Sequence, residues 1–284
     1  MKLTLDPLWI RELLKEDAPF GDPSMEVLED GAESSAEIRA KEDGVFCGEE
    51  IIRQIFFHLS PAINISILVS DGDPVKKGDT IAQISGDTKL LLQGERIVLN
   101  LISYLSGIST ETSKFVEIAG PYGVKILDTR KTLPLYRELS KYAVRMGGGF
   151  NHRYSLSDLI MLKDNHITGA GGIEKAFEKL QERNKNPFLK IEVEVKNVKE
   201  ALAALKYSPD IMMLDNFSVE AVKEAIYFLR DKVLVEISGG ITLINLEEYA
   251  RLKPDFISVG SLTHHVKGLD MSMKIKHEAS DNEV

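Results

Sequence analysis

Six short apolar runs in the second half of the chain constrain its fold more than any other feature. They lie at 124–127, 159–162, 191–195, 211–214, 233–237 and 256–259. Helical patterns at 173–183, 198–206, 219–229 and 243–252 fall between several of them. Strands that are apolar on both faces need cover on both faces, and intervening helices supply it. The rhythm therefore predicts a parallel sheet in an α/β protein. Six or more such units, with no Gly-x-Gly-x-x-Gly fingerprint, favour a barrel over a doubly wound sheet.

The first part of the chain has a different texture. A helix is predicted near 8–15, before the loop Ala18-Pro19-Phe20-Gly21-Asp22-Pro23, whose glycine and prolines break helices. Strand-like alternation follows at 36–40 and 63–69, then turn residues among β-prone ones at 71–84. A longer helix is predicted at 90–106, leading into the second domain. A length of 284 residues suits either one large α/β barrel or a barrel plus a smaller domain, and the change of texture favours the second. The expected division is 1–115 and 116–267, with 268–284 a candidate to pack on the first domain and a polar, frayed end at 280–284.

Charge narrows the partners. With 35 Lys and Arg against 44 Asp and Glu, the net charge is −9, which repels nucleic acid and anionic membranes unless cations cluster locally. The one cysteine, Cys47, can form neither an internal disulfide nor a cysteine-based zinc site. The N-terminal residues lack the apolar core of a signal peptide, and no run of 18 apolar residues occurs. The expected location is the cytoplasm, with no membrane or nucleic-acid partner.

Cations do cluster, at the predicted C-terminal ends of the strands, where barrels place their sites. Arg130, Lys131, His152, Arg153, Lys163 and His166 fall there, as do the carboxylates Glu194 and Asp215. Two glycine turns, Ser238-Gly239-Gly240 and Gly260-Ser261-Leu262-Thr263-His264, follow later strands, and the helix predicted from 243 adds a dipole suited to phosphate. Each motif alone has a plainer reading: a solvated loop, a structural histidine, a surface ion pair, a simple turn. Their convergence on successive strand ends favours a site. Arginine forks grip carboxylate or phosphate, and two acidic groups suit Mg²⁺. Together they describe a phosphosugar site beside a basic cup for a second small anion.

These residues resemble a known family. Asp128-Thr129-Arg130-Lys131-Thr132, Gly147-Gly148-Gly149-x-Asn151-His152-Arg153, Lys163-Asp164-Asn165-His166-Ile167, Glu192-Val193-Glu194-Val195, Met213-Leu214-Asp215-Asn216 and Ser238-Gly239-Gly240-Ile241 are similar to the motif series of the quinolinate phosphoribosyltransferases, the carboxylating nicotinate-nucleotide diphosphorylases. The segments from Glu16 to Asp22 and from Gly94 to Thr110 are similar too, so the resemblance covers about 10–275, in order. It implies an N-terminal α/β sandwich domain, an open α/β barrel and a homodimer with shared active sites, a higher homo-oligomer being left open. The implied reaction turns quinolinate and phosphoribosyl pyrophosphate into nicotinate mononucleotide, pyrophosphate and CO₂, with Mg²⁺, in NAD biosynthesis. By motif position, Arg130, His152 and Arg153 hold quinolinate, with Lys163 and His166 nearby and Arg96 entering from the neighbouring subunit. Lys131, Glu194 and Asp215 are the catalytic set and serve phosphoribosyl pyrophosphate and its metal. Ser238, Gly239, Gly240, Gly260 and His264 hold its 5′-phosphate. Leu133, Tyr136 and Lys196 depart from the family's usual residues, at positions assigned no substrate role.

Three rivals fit less well. A molybdenum-transport-associated relative of the same fold generally departs at Lys163-Asp164-Asn165-His166, which is intact here. The segment from Asp71 to Asp79 resembles the second hairpin of lipoyl or biotinyl carriers, but 34–67 holds no modifiable-lysine turn. A phosphosugar isomerase or lyase would not need so many cations.

Overall fold

The structure is a computed structural model, described for residues 3–184 and 186–276. It divides into two units. The first takes in the residues up to Glu111, then Glu138–Gly148 and the residues from Val266 on; the second is Thr112–Arg137 with Gly149–His265.

In the first unit, strands β1 (Glu33–Ala40), β3 (Asn64–Ile67), β5 (Thr80–Asp87) and β12 (Met271–Lys276) form an antiparallel sheet in the order β12-β1-β5-β3. The C-terminal strand thus pairs with β1; the predicted frayed end at 280–284 lies outside the described residues. Helix α1 (Pro7–Asp17) starts on Pro7, with the Asp6 side chain accepting the Leu8 N–H. Helix α2 (Glu49–Leu59) buries Ile51, Ile52, Ile55 and Phe56 along one stripe. Helix α3 (Thr88–Ala119) is longer than the helix predicted at 90–106. It runs through Gly107, where a Cβ would lie 2.3 Å from the Lys267 carbonyl oxygen. Gly107 is therefore a close-approach position and not a helix stop. Helix α4 (Arg137–Met146) buries Leu139, Tyr142, Ala143 and Val144.

The turn-rich segment at 71–84 is not a self-paired hairpin. Its strand β4 (Pro74–Val75) pairs with β2 (Gly44–Val45), whereas β5 joins the larger sheet. Asp71 explains part of the segment's composition. Its Oδ1 accepts the N–H of Gly48 at 2.6 Å and of Glu49 at 2.9 Å, capping α2, and its Oδ2 accepts the Tyr142 hydroxyl at 2.6 Å. Burial and this carboxylate together hold the Tyr142 phenol well above its usual range. Asp71→Ala removes a charged cap and strands the hydroxyl of the buried Tyr142. The expected cost is about 2–4 kcal/mol in urea denaturation. A change below about 0.5 kcal/mol would show that water replaces the carboxylate without loss.

The second unit is a six-stranded parallel sheet: β6 (Lys125–Leu127), β7 (Ile160–Leu162), β8 (Ile191–Val195), β9 (Ile211–Asp215), β10 (Leu234–Ser238) and β11 (Phe256–Ser258). The order is β6-β11-β10-β9-β8-β7, with β6 and β7 not paired to each other, so the barrel is open. Val193, Met212, Leu214, Val235, Ile237 and Ile257 are buried in it, as strands covered on both faces require. Helices α5 (Asp164–Ala170), α6 (Ile173–Arg183), α7 (Val198–Leu205), α8 (Val219–Leu229), α9 (Leu246–Ala250) and α10 (Ser261–His264) complete it. The helix predicted at 243–252 shrinks to the five residues of α9. Asn245 is the reason: its Oδ1 accepts the Thr242 N–H at 2.8 Å and its Nδ2 donates to the Gly240 carbonyl at 3.0 Å, closing a turn where the helix was expected to begin. No described helix is long and apolar enough to cross a membrane.

Candidate active site

A cleft of about 620 Å³ opens at the C-terminal strand ends of the second unit. Arg130, Lys131, His152, Arg153, Lys163, Glu194, Asp215, Ser238, Gly239 and Gly240 all line it, so ten residues singled out in the sequence converge there. Thr263 Oγ1, on α10, donates to the Lys131 carbonyl at 2.7 Å and ties the loop after β6 to the turn after β11. Gly260 lies against Lys131 and His264: a Cβ on it would sit 3.1 Å from His264 Nε2 and 3.4 Å from Lys131 Cδ. Burial, His265 and Lys131 lower the His264 pKa.

Four predicted residues do not line the cleft: Gly260 and His264 stand next to Lys131 or to each other, and His166 and Arg96 lie elsewhere. His166 is exposed and does not line the cleft; its Nδ1 accepts the Lys163 N–H at 3.1 Å, making it a cap of α5. Arg96 is exposed on α3, in the first unit. Lys196 also stays out of the cleft and pairs with Asp164 at 2.5 Å.

The two arginines demand an anion. Arg130 Nε is buried without a hydrogen-bond partner, one of three such side-chain atoms among the described residues. Burial and the Arg130 charge lower the Arg153 pKa, so two guanidinium groups sit close together and incompletely neutralised. Across the cleft, Lys163 Nζ lies 3.7 Å from Glu194 Oε2. Burial raises the Glu194 pKa; Lys163 opposes that rise and the Asp215 charge adds to it. Two like charges close enough to perturb each other would be relieved by a cation between them. Asn216, in the left-handed region at φ 57°, donates to Asp215 Oδ2 at 2.7 Å. Gly239 must be glycine: its φ is +94°, and a Cβ would lie 2.2 Å from Asn216 Oδ1. The turn after β10 is thereby packed onto Asn216, which donates to the carboxylate that ends β9.

Beneath the cleft lies a layer the sequence reading missed. Asp128, fully buried, accepts the His152 N–H at 2.9 Å and the Asn151 Nδ2 at 2.6 Å. His152 Nε2 lies 3.1 Å from Glu192 Oε2 and 3.4 Å from Glu236 Oε2, both carboxylates being fully buried. Burial alone would lower the imidazole pKa, but hydrogen bonds and charge from the two glutamates raise it to about 10. His152 Nδ1 meanwhile accepts the Arg153 N–H at 2.6 Å, which a doubly protonated ring could not do. The backbone N–H is an obligate donor, so this network assigns the neutral Nε2–H tautomer. The Arg153 amide thus keeps a proton off Nδ1 against the pull of the two carboxylates. A signal for this layer does exist in the sequence. Glu192 precedes Glu194 by two residues and Glu236 precedes Ser238 by two, so each shares a face with a cleft residue within an otherwise apolar strand.

Comparison with known proteins finds relatives along nearly the whole chain. Residues 22–106 match the N-terminal domain of quinolinate phosphoribosyl transferase and residues 108–274 its C-terminal domain. A probable nicotinate-nucleotide pyrophosphorylase [carboxylating] of Bacillus subtilis is 39% identical over 275 residues, covering 95% of each chain. One of Methanocaldococcus jannaschii is 39% identical over 276 residues, covering 94% of this chain and 95% of its own. The structure of the nicotinate-nucleotide pyrophosphorylase from Francisella tularensis superposes with a TM-score of 0.91 at 38% identity, over 96% of this chain and 98% of that one. The fold and the cleft thus define a pentosyltransferase built on an open α/β barrel. Within that class, the chain belongs to the quinolinate phosphoribosyltransferase family.

Proposed function

We infer that the chain transfers the phosphoribosyl group of phosphoribosyl pyrophosphate to quinolinate, giving nicotinate mononucleotide, pyrophosphate and CO₂ for NAD biosynthesis. The observation that carries the assignment to this cleft is its set of cations: Arg130, Arg153 and Lys163 line it together, and the Arg130 guanidinium has a nitrogen with no protein partner.

In this reading Arg130, Arg153 and Lys163 hold the quinolinate carboxylates. Ser238, Gly239, Gly240, Gly260 and His264 hold the 5′-phosphate, and Lys131 faces the pyrophosphate. The ribose C1–oxygen bond breaks with its electron pair leaving on pyrophosphate, and the pyridine nitrogen supplies the pair for the new C1–N bond. Lys131 stabilises the charge gathering on the leaving group, and Glu194 and Asp215 face the positive charge on the sugar. The resulting pyridinium then accepts the electrons of the C2–carboxylate bond as CO₂ departs, and a proton replaces it at C2. Arg130 and Arg153 orient the ring throughout. Glu194 and Asp215 are hard oxygen donors whose charges disturb each other, so they fit Mg²⁺. When bound, the ion would add positive charge next to the pyrophosphate oxygens.

We also propose a homodimer whose sites are shared through Arg96, and a cytoplasmic location with no nucleic-acid or membrane partner. The exposed position of Arg96 and the lone, buried, free thiol of Cys47 are in keeping with these. The test of the reaction is its stoichiometry. With quinolinate, phosphoribosyl pyrophosphate and Mg²⁺, pyrophosphate and CO₂ should appear one for one. Pyrophosphate without CO₂ would remove the decarboxylating step.

A further inference from the structure

Resting on that reading of the cleft, we propose that His152 is a positioning residue and not a substrate ligand, and that buried Glu192 and Glu236 hold its ring so that it fixes the backbone of Arg153. Both ring nitrogens are already used by the protein: Nε2 faces the two carboxylates and Nδ1 takes the Arg153 N–H. The His152 N–H is used too, by Asp128. The side chain is only 9% exposed, whereas Glu192 and Glu236 are fully buried and cannot touch a molecule in the cleft.

The chain of contacts is continuous. Ser258 Oγ, on β11, donates to Glu236 Oε1 on β10. Glu236 and Glu192, on β10 and β8, meet at His152 Nε2, and the ring then holds the Arg153 amide. Three strands thereby set the angle at which one arginine enters the cup. Two buried carboxylates meeting one imidazole mark a built arrangement, and Oε2 of each glutamate, like Arg130 Nε, has no hydrogen-bond partner. The same three side chains place possible ligand atoms within 4.8 Å of one another, which makes a divalent cation the competing occupant.

The test uses Glu236→Met, which removes the acceptor at similar volume, and Glu236→Gln, which can still accept from an Nε2–H. Steady-state kinetics on the full chain should show the quinolinate KM raised about tenfold in the Met variant, with kcat and the KM for phosphoribosyl pyrophosphate within about threefold. The Gln variant should recover most of that loss. His152→Ala combined with Glu236→Met should be no worse than the poorer single variant, as for residues acting through one another. A quinolinate KM unchanged in Glu236→Met but raised in His152→Ala would overturn the proposal, since His152 would then meet the substrate itself. Equal losses in the Met and Gln variants would also overturn it, by showing that charge and not ring placement matters. So would a stoichiometric divalent ion that survives dialysis and disappears with Glu236→Met. If that variant does not fold, Ser258→Ala loosens Glu236 in place. It should raise the quinolinate KM about threefold, and no change would count against the proposal. Failure of the wild-type protein to use quinolinate would instead sink the functional reading, so the two failures are distinct.

Discussion

Replacing Glu194 and Asp215 together by alanine should cut turnover by about a thousandfold or more while leaving quinolinate binding close to wild type. Both carboxylates line the cleft, as do the turn 238–240 and the two arginines. Their proposed work, facing a cationic sugar and supporting Mg²⁺, belongs to the phosphoribosyl half of the reaction. Removing Glu194 also releases Lys163, whose Nζ it holds at 3.7 Å, and a freed ammonium can only help a dianion bind. Calorimetry with quinolinate alone, set beside steady-state rates, separates the two halves. Loss of quinolinate binding in the double variant would mean that these carboxylates organise the whole rim.

Mixing two inactive variants, Arg96→Ala and Lys131→Ala, should restore activity. If Arg96 serves the partner's site, a mixed dimer carries both lesions in one site and none in the other. With random exchange about half the dimers are mixed, each with one intact site, so recovery should approach about a quarter of wild type. In sequence Arg96 looks like an ordinary surface arginine, and in the structure it is exposed on α3. Only the family resemblance gives it a task. No recovery, with mixed dimers shown to form, would confine Arg96 to its own chain or to a purely structural role.

The barrel was legible because strands covered on both faces must be apolar, and 191–195 and 256–259 could be read within a residue or so of β8 and β11. The ends of elements were harder to read. Asn245 cuts short the helix expected from 243, since a side-chain turn competes with the first helical turn. The helix read at 90–106 continues through Gly107, which meets the Lys267 backbone, far along the chain. The pairing of β4 with β2 depends on which segment comes alongside, which no local pattern records. Most of the cleft could be predicted because barrels put polar residues at strand ends, and ten of the residues so chosen line it. The place of His166 outside the cleft lining could not be read in advance, because a histidine within a helix's first turn reads the same whether it caps the helix or meets a ligand. Glu192 stands in the motif Glu192-Val193-Glu194-Val195 without a role and Glu236 lies outside every motif, although a carboxylate in mid-strand is the costlier and more informative residue.

The central claim is that this cleft selects a pyridine dianion and decarboxylates it. The most direct measurement is kcat/KM for quinolinate against nicotinate, each with phosphoribosyl pyrophosphate and Mg²⁺. Nicotinate lacks the carboxylate at C2, so it would leave a buried cation of the cup unmatched and have nothing to lose as CO₂. Sites built to pair such a group reject the analogue lacking it by about four orders of magnitude, and a preference of at least about a thousandfold for quinolinate is expected here. Comparable turnover of the two acids would contradict the account and leave a phosphoribosyltransferase indifferent to the second carboxylate.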